Sequence, residues 1–226
     1  MVPTSPASST WTVQELDDVA ARLEWADPTE ILAWAVASLP EVVVAASFED
    51  LVLVHLVHES FPEVPIAFLD TGGHFPETLD FVEGVRAAWS LPLVRVTPGP
   101  EADAHPCGTE GCCQLRKVVP LEGLLAGRSG WITGVKRVDA PTRATTPVVG
   151  FDEKFGVVKV NPLATWTDED VLAYLERHGL AHHPLWAQGY TSIGCAAVTR
   201  PPTSPGDRRS GRWAGSGKVE CGLHEL

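Results

Sequence analysis

Val42-Val43-Val44-Ala45-Ala46-Ser47-Phe48-Glu49-Asp50 decides how this chain is built. Five apolar residues in succession, three of them β-branched, suit a short strand covered on both faces. The spacing of Leu51, Val54, His55 and His58 then predicts a helix. Working outward, the order repeats: Pro65-Ile66-Ala67-Phe68-Leu69 reads as a second strand, 76–89 as a helix after Phe75-Pro76, and Leu93 to Val96 as a third strand. Strands are also expected at Trp131 to Val135 and Val157 to Val160, and helices at 13–25, 28–39, 113–126 and 167–178. Asp27-Pro28-Thr29-Glu30 opens the helix at 28 with a cap candidate and a first-turn proline, and Thr167 caps the helix that begins Asp168-Glu169-Asp170. Strand and helix alternating at this rhythm predict an α/β fold, a parallel twisted sheet flanked by helices with right-handed crossovers. The span between the strands at 131–135 and Val157 is expected to be a loop bearing Lys136, Arg137 and Arg143, and after Gly179 the periodicity fades.

The chain has 226 residues, with 17 Lys and Arg against 29 Asp and Glu, a formal charge of -12. That balance argues against general nucleic-acid binding and requires a local basic site for any anionic substrate. At 44% hydrophobic and 20% charged, the composition is that of a globular protein with one sizeable core. No apolar run approaches the roughly 18 residues that span a membrane, and Met1 to Thr10 has neither the basic nor the apolar region of a signal peptide. A cytoplasmic protein with a disordered N-terminus over residues 1–10 is expected. The five cysteines are odd in number and unevenly placed, with Cys107, Cys112 and Cys113 together, then Cys195 and Cys221. This is no disulfide scaffold; such thiols serve as metal ligands, nucleophiles or core fillers.

Two constellations follow predicted strands. Ala46 to Asp50 leads from strand to helix, where open N–H groups receive a phosphate or ribose, or where Ser47 is a plain N-cap. The stretch lacks the glycines that wrap a pyrophosphate, which disfavours ATP-cleaving chemistry. Leu69-Asp70-Thr71-Gly72-Gly73-His74-Phe75-Pro76-Glu77-Thr78 stands at the carboxyl end of the second strand, where open α/β sheets bind ligands. His55 and His58 lie one helical turn apart without a third ligand and read as ordinary helix residues, and the eight tryptophans read mainly as packing.

Taken with Cys112-Cys113 followed by Arg116-Lys117-Val118-Val119-Pro120-Leu121, and with the terminal Glu220-Cys221-Gly222-Leu223-His224, that stretch resembles the assimilatory adenylyl-sulfate (APS) reductases of the phosphoadenylyl-sulfate (PAPS) reductase family. Gly134 to Arg143, Val160 to Leu163, Gly189 to Cys195 and Ser210 to Trp213 extend the resemblance over about residues 40–226. It implies an adenine nucleotide alpha hydrolase-like fold, related to the ATP pyrophosphatases, with a flexible catalytic tail. Residues 11–180 would form the nucleotide-binding reductase domain, and residues 181–226 a segment with a cluster cysteine, an arginine loop and the tail. The implied activity is thioredoxin-dependent reduction of APS to sulfite and AMP in sulfate assimilation. Cys221 would attack the sulfur and carry it as S-sulfocysteine until a thioredoxin- or glutaredoxin-type dithiol releases sulfite. A thiolate approaching an anionic phosphosulfate needs positive charge, which gives work to Lys117, Lys136, Arg137, Arg143, Arg209 and Arg212. By resemblance, Lys117, Arg209 and Arg212 touch the phosphosulfate, while Ser47, Leu69 and Gly72 line the nucleotide pocket. Arg208 is read as a solvated surface charge, and His224 either as an aid to the thiol or as structural.

In one place the chain departs from the family pattern. A four-iron four-sulfur cluster is expected on a vicinal pair and a later Cys-x-x-Cys, which Cys112, Cys113 and Cys195 match, but Val198 stands at the fourth position and has no ligating atom. Four accounts stay open: Cys107 supplies the missing thiolate, three cysteines hold an incomplete cluster, the chain is cluster-free, or the valine is an engineered replacement. Zinc on the same thiols is a weaker variant. Alternative functions are a cluster-free PAPS reductase, an ATP-using adenylyltransferase, and a non-catalytic nucleotide-binding relative. Homo-oligomerisation stays open.

Overall fold

The computed structural model describes residues 11–204, 206–216 and 218–224. The expectation of disorder over residues 1–10 lies outside the described residues. Helices α1 (Val13–Leu23) and α2 (Pro28–Ser38) come first, α1 headed by a Thr12–Glu15 capping box and α2 by the Asp27 carboxylate on the Thr29 amide. There follow β1 (Val43–Ala45), α3 (Val52–Ser60), β2 (Ile66–Leu69), α4 (Pro76–Trp89) and β3 (Leu93–Val96). A π-helical turn at Gln114–Val118 runs into α5 (Val119–Leu125). Strands β4 (Gly130–Thr133), β5 (Val149–Asp152) and β6 (Val157–Val160) and helix α6 (Asp168–His178) complete the regular structure. Beyond α6 the described residues form only short 3-10 turns, bends and isolated bridges.

The six strands make one sheet in the order β3-β2-β1-β4-β6-β5, parallel throughout except that β5 runs antiparallel to β6. Successive strand residues face opposite sides. Val44, Ile66, Phe68 and Ile132 enter the large core with α1, α2, α3, α4 and α6, while Val43, Ala67 and Trp131 turn to the other face and meet Leu121 and Leu125 of α5. This two-sided cover is why the strands read as unbroken apolar runs rather than alternating ones. Burying each larger side chain contributes roughly 1.5–3 kcal/mol, which anchors the strand ends that carry the site.

The chain steps from β1 out to β2 and β3, then returns to lay β4 on the other side of β1. Loops leaving β1 and β4 therefore diverge and open a crevice beyond their carboxyl ends. The parallel, helix-flanked architecture agrees with the sequence expectation, with two local departures. The span expected to be loop before Val157 contains β5, a four-residue edge strand hairpinned to β6 through a turn that Gly156 closes at φ +66. The helix expected over 113–126 starts as a π turn: Pro120 has no N–H for the Arg116 carbonyl, and the Val119 N–H reaches back to Gln114. Among the described residues no helix is long and apolar enough to cross a membrane.

Candidate active site

After β1 the backbone turns at Phe48, which holds φ +58, a left-handed conformation that a bulky residue adopts only when its surroundings enforce it. Here the enforcement is packing, since the buried Phe48 ring sits edge-on to Phe68 with centroids 5.9 Å apart. The turn leaves Ser47 on the crevice, its Oγ accepting the Glu49 amide at 3.4 Å. The Val52 amide at the start of α3 goes instead to the Asp50 carboxylate at 3.1 Å, so Ser47 is not the cap of that helix. Across the crevice, the segment after β4 carries buried Lys136 between Asp50 at 3.4 Å and Asp139 at 3.5 Å. Burial works against its ammonium, yet these carboxylates hold its pKa above the usual lysine range.

The second wall is the irregular chain after α6. Glu220 lies at its centre: Arg143 donates Nε and Nη2 to the two carboxylate oxygens at 3.0 Å each, Thr142 Oγ1 donates at 3.0 Å, and Arg209 Nη2 reaches Oε2 at 3.2 Å. Burial disfavours the Glu220 carboxylate, but these donors keep its pKa below the ordinary range. Cys221 follows, facing the cleft with the Lys117 ammonium. Burial opposes the charge on Lys117, and the Cys221, Cys195 and Cys113 sulfurs more than offset it. Buried Arg212 donates to Ser192 Oγ at 3.3 Å and the Ile193 carbonyl at 3.2 Å, packs over Trp213 at 4.7 Å, and leaves its Nε without a partner. The tail then enters the crevice floor. His224 stacks on Trp131 with planes 8° apart and centroids 5.7 Å apart, while Lys154 Nζ donates to the Gly222 carbonyl at 2.6 Å. Burial, reinforced by Lys159 and Arg143, pushes the His224 pKa well below the imidazole range.

Ser47, Leu69, Lys117, Arg143, Arg209, Arg212 and Cys221 thus line one cleft, and Lys136 lines an adjoining lobe that shares Ser47, Arg143 and Arg209. Two residues singled out from sequence are not brought into it. Arg137 turns away to both carboxylate oxygens of Glu24, at 2.5 and 3.0 Å, and Gly72 stays behind Arg116 at φ +68. Arg208 is not a solvated charge: it bonds Glu49 at 3.0 Å, Asp139 at 3.0 Å and Asp168 at 2.6 Å, tying the tail to the β1 turn and to α6. The sequence gives no sign of a charge role for Glu220, although it stands beside Cys221 in the terminal motif, and Trp131 is among the tryptophans read mainly as packing. Trp131 carries His224 on its ring and has the Lys159 ammonium 5.0 Å from its centroid. Burial pushes that lysine down to about 8, with Asp152 opposing the shift from 3.8 Å.

Residues 41–201 match the family model described as the phosphoadenosine phosphosulfate reductase domain. The chain belongs to this reductase family. Adenosine 5'-phosphosulfate reductase of Mycobacteroides abscessus is 46% identical over 217 residues, covering 91% of each chain. The enzyme of the same name from Streptomyces coelicolor is 45% identical over 227 residues, covering 94% of this chain and 96% of its own. Among solved structures, a phosphoadenylyl-sulfate (PAPS) reductase of Candida auris in complex with phosphate superposes with a TM-score of 0.74 at 27% identity, over 85% of this chain and 100% of that one. An FMN adenylyltransferase of Candida glabrata, at 15% identity and a TM-score of 0.58 over 83% of this chain and 66% of its own, shares the fold alone.

The reductase's other four cysteines gather beside Lys117. Cys107, Cys112, Cys113 and Cys195 ring a small cavity with Arg116, Lys117, Val198 and Trp213, and no carboxylate lines it. Among the described residues no group of three or more His, Cys, Asp or Glu side chains forms a site for a single metal ion. Four thiols without a carboxylate are a donor set chemically suited to an iron–sulfur cluster. Polar hydrogens already point at the sulfurs: the Gly108 amide to Cys112 at 3.3 Å, Lys218 Nζ to Cys113 at 3.2 Å, and the Thr71 hydroxyl 3.3 Å from Cys195. Such donors stabilise anionic sulfur, so the residues fit the group.

Proposed function

We propose that this protein reduces adenylyl sulfate to sulfite and AMP, with Cys221 as the nucleophile. The observation that carries the reading is the convergence of the Cys221 thiol, the Lys117 ammonium and three arginines on one cleft at the β1/β4 switch point. In this reading Ser47 and Leu69 receive the nucleoside end and Lys117, Arg209 and Arg212 the phosphosulfate, with Lys136 and Arg143 adding positive charge. Arg137, committed to Glu24, has no part in it. Residues 11–180 would supply the nucleotide seat and residues 181–226 the arginine loop and the thiol.

The Cys221 thiolate attacks the sulfur of the substrate. A new S–S bond forms as the bond from that sulfur to the bridging oxygen breaks, and AMP leaves with the electron pair. The leaving phosphate is a weak base, so the positive charge around it replaces a general acid. A thioredoxin- or glutaredoxin-type dithiol then attacks Cys221 Sγ of the S-sulfocysteine, and sulfite departs with the pair from the S–S bond. The second thiol of the dithiol resolves the mixed disulfide and restores Cys221. Two electrons pass from the dithiol to the substrate sulfur, a reaction suited to the reducing cytoplasm. Cys112, Cys113 and Cys195 would hold the four-iron four-sulfur cluster, which when bound supplies a fixed charge beside Lys117.

The test is to mix anaerobically purified protein, in separate tubes, with APS and with its 3'-phosphorylated form, and to map the adduct by mass spectrometry. A sulfonate on Cys221 formed with APS is expected. An adduct formed with the 3'-phosphorylated substrate alone would transfer the chain to PAPS reduction, the reading that Val198 favours. No adduct on Cys221 with either would remove the nucleophile.

A further inference from the structure

The cavity ringed by four thiols holds one more cysteine than the family pattern accounts for. Cys107 sits in a loop that folds back on itself through Gly108 at φ +99 and Gly111 at φ +76, conformations open to glycine at little cost. Gly108 lies so close to Val198 that a side chain there would meet Val198 Cγ1 at 3.1 Å, and one on Gly73 would meet Cys107 Sγ at 3.2 Å. The loop therefore lays Cys107 against the 198 position and the Gly72-Gly73 turn together. Its thiol lines the same small cavity as those of Cys112, Cys113 and Cys195. Arg116 fixes this arrangement with three bonds, Nη1 to the Thr71 carbonyl at 2.8 Å, Nη2 to that of Ala102 at 2.8 Å and Nε to that of His105 at 3.1 Å. A guanidinium that joins the start of the loop to the β2 turn holds Cys107 in place from both sides.

We propose that Cys107 supplies the fourth thiolate of the iron–sulfur site, in place of the cysteine missing at position 198. The inference rests on the reading of Cys112, Cys113 and Cys195 as cluster ligands. Binding a preformed cluster forms four Fe–S(Cys) bonds, releases the four thiol protons to solvent and transfers no electron. Val198 then has a packing role, its Cγ1 set against Gly108 at the edge of the cavity.

The test uses full-length protein purified anaerobically, with native mass and chemical assay reporting iron and sulfide per chain. The wild type is expected to carry four of each. Cys107→Ala should lower iron by about tenfold or more, and Cys107→Ala combined with Val198→Cys should regain it, because the second change returns a thiol to the same corner. Full iron in Cys107→Ala overturns the proposal, as does zinc or no metal in the wild type. A misfolded Cys107→Ala is recognised by its melting curve; the double variant then decides, recovery of iron supporting the assignment and folded protein without iron overturning it. The Cys221 adduct with APS is read on separate peptides, so failure of the cluster assignment and failure of the reductase reading are told apart.

Discussion

The strand-end wall of the cleft and the wall formed by the last residues hold their side chains by different means. Ser47 and Leu69 stand on β1 and β2 segments whose neighbours Val44, Ile66 and Phe68 are buried in the large core. Arg208, Arg209 and Cys221 stand on chain without regular structure, anchored by charge: Arg208 on Glu49 and Asp139, Arg143 and Arg209 on Glu220. Packing resists displacement, whereas ion pairs exchange partners when an anion of better geometry arrives. The rigid wall is thus suited to recognising the nucleotide, and the charged wall to opening for substrate, closing for attack and opening again for a dithiol.

Lys117 belongs to neither wall by construction. It projects from the π turn, between the cysteine cavity and Cys221. Lys117→Ala should lower kcat/KM for APS by roughly 10²–10³-fold, the usual cost of removing one preorganised donor from developing charge, while AMP affinity changes little. Arg137→Ala, measured alongside, should leave kcat/KM within about twofold because its partner Glu24 lies outside the cleft. Equal losses in the two variants would mean that the cleft's electrostatics are diffuse rather than focused at Lys117.

The difference between the walls also explains what the sequence disclosed. Strands β1, β2 and β4 were legible because burial on both faces leaves unbroken apolar runs, and α6 because its capping box is local. Strand β5 was not, since Gly150 interrupts its apolar residues and Asp152 ends it, which leaves no unbroken apolar run. Residues within contiguous motifs, such as Lys117 and Cys221, could be named from resemblance. The Arg208 network could not, because Glu49, Asp139 and Asp168 come from three distant segments and no local pattern marks a charge that will be paired. The His224–Trp131 stack was hidden for the same reason: the two residues are far apart in the chain, and only the fold joins them.

That stack makes docking of the tail depend on pH. Docked His224 is neutral because burial and the surrounding Lys159, Arg143, Lys117 and Arg209 disfavour its cation. On a released tail the ring titrates near the ordinary value of about 6.5. Above that pH both states are neutral and docking is unaffected. Below it the released tail alone takes the proton, so docking should weaken by up to about tenfold per pH unit. Hydrogen exchange of peptides covering 218–224, corrected for intrinsic rates, should accelerate between pH 7 and 5.5 in the wild type and stay level in His224→Phe. Parallel acceleration in both would assign the acid sensitivity to other groups.

Glu220 marks the point where the walls meet, and its carboxylate occupies the kind of position that a substrate anion would take on Arg143 and Arg209. If it stands in for that anion, binding must displace it, and Glu220→Gln should tighten AMP by about fivefold, the equivalent of roughly 1 kcal/mol for a partly exposed pair. The same change should loosen the tail, seen as faster alkylation of Cys221 in the nucleotide-free protein. Calorimetry with AMP separates this from the opposite design, in which Glu220 orients the two arginines for the substrate and its loss weakens binding. Tighter AMP together with a more reactive thiol would mean that the charged wall is held shut by its own carboxylate until the substrate replaces it. Weaker AMP would mean that this wall, like the strand wall, is preorganised, and that tail motion is governed by the His224 seat alone.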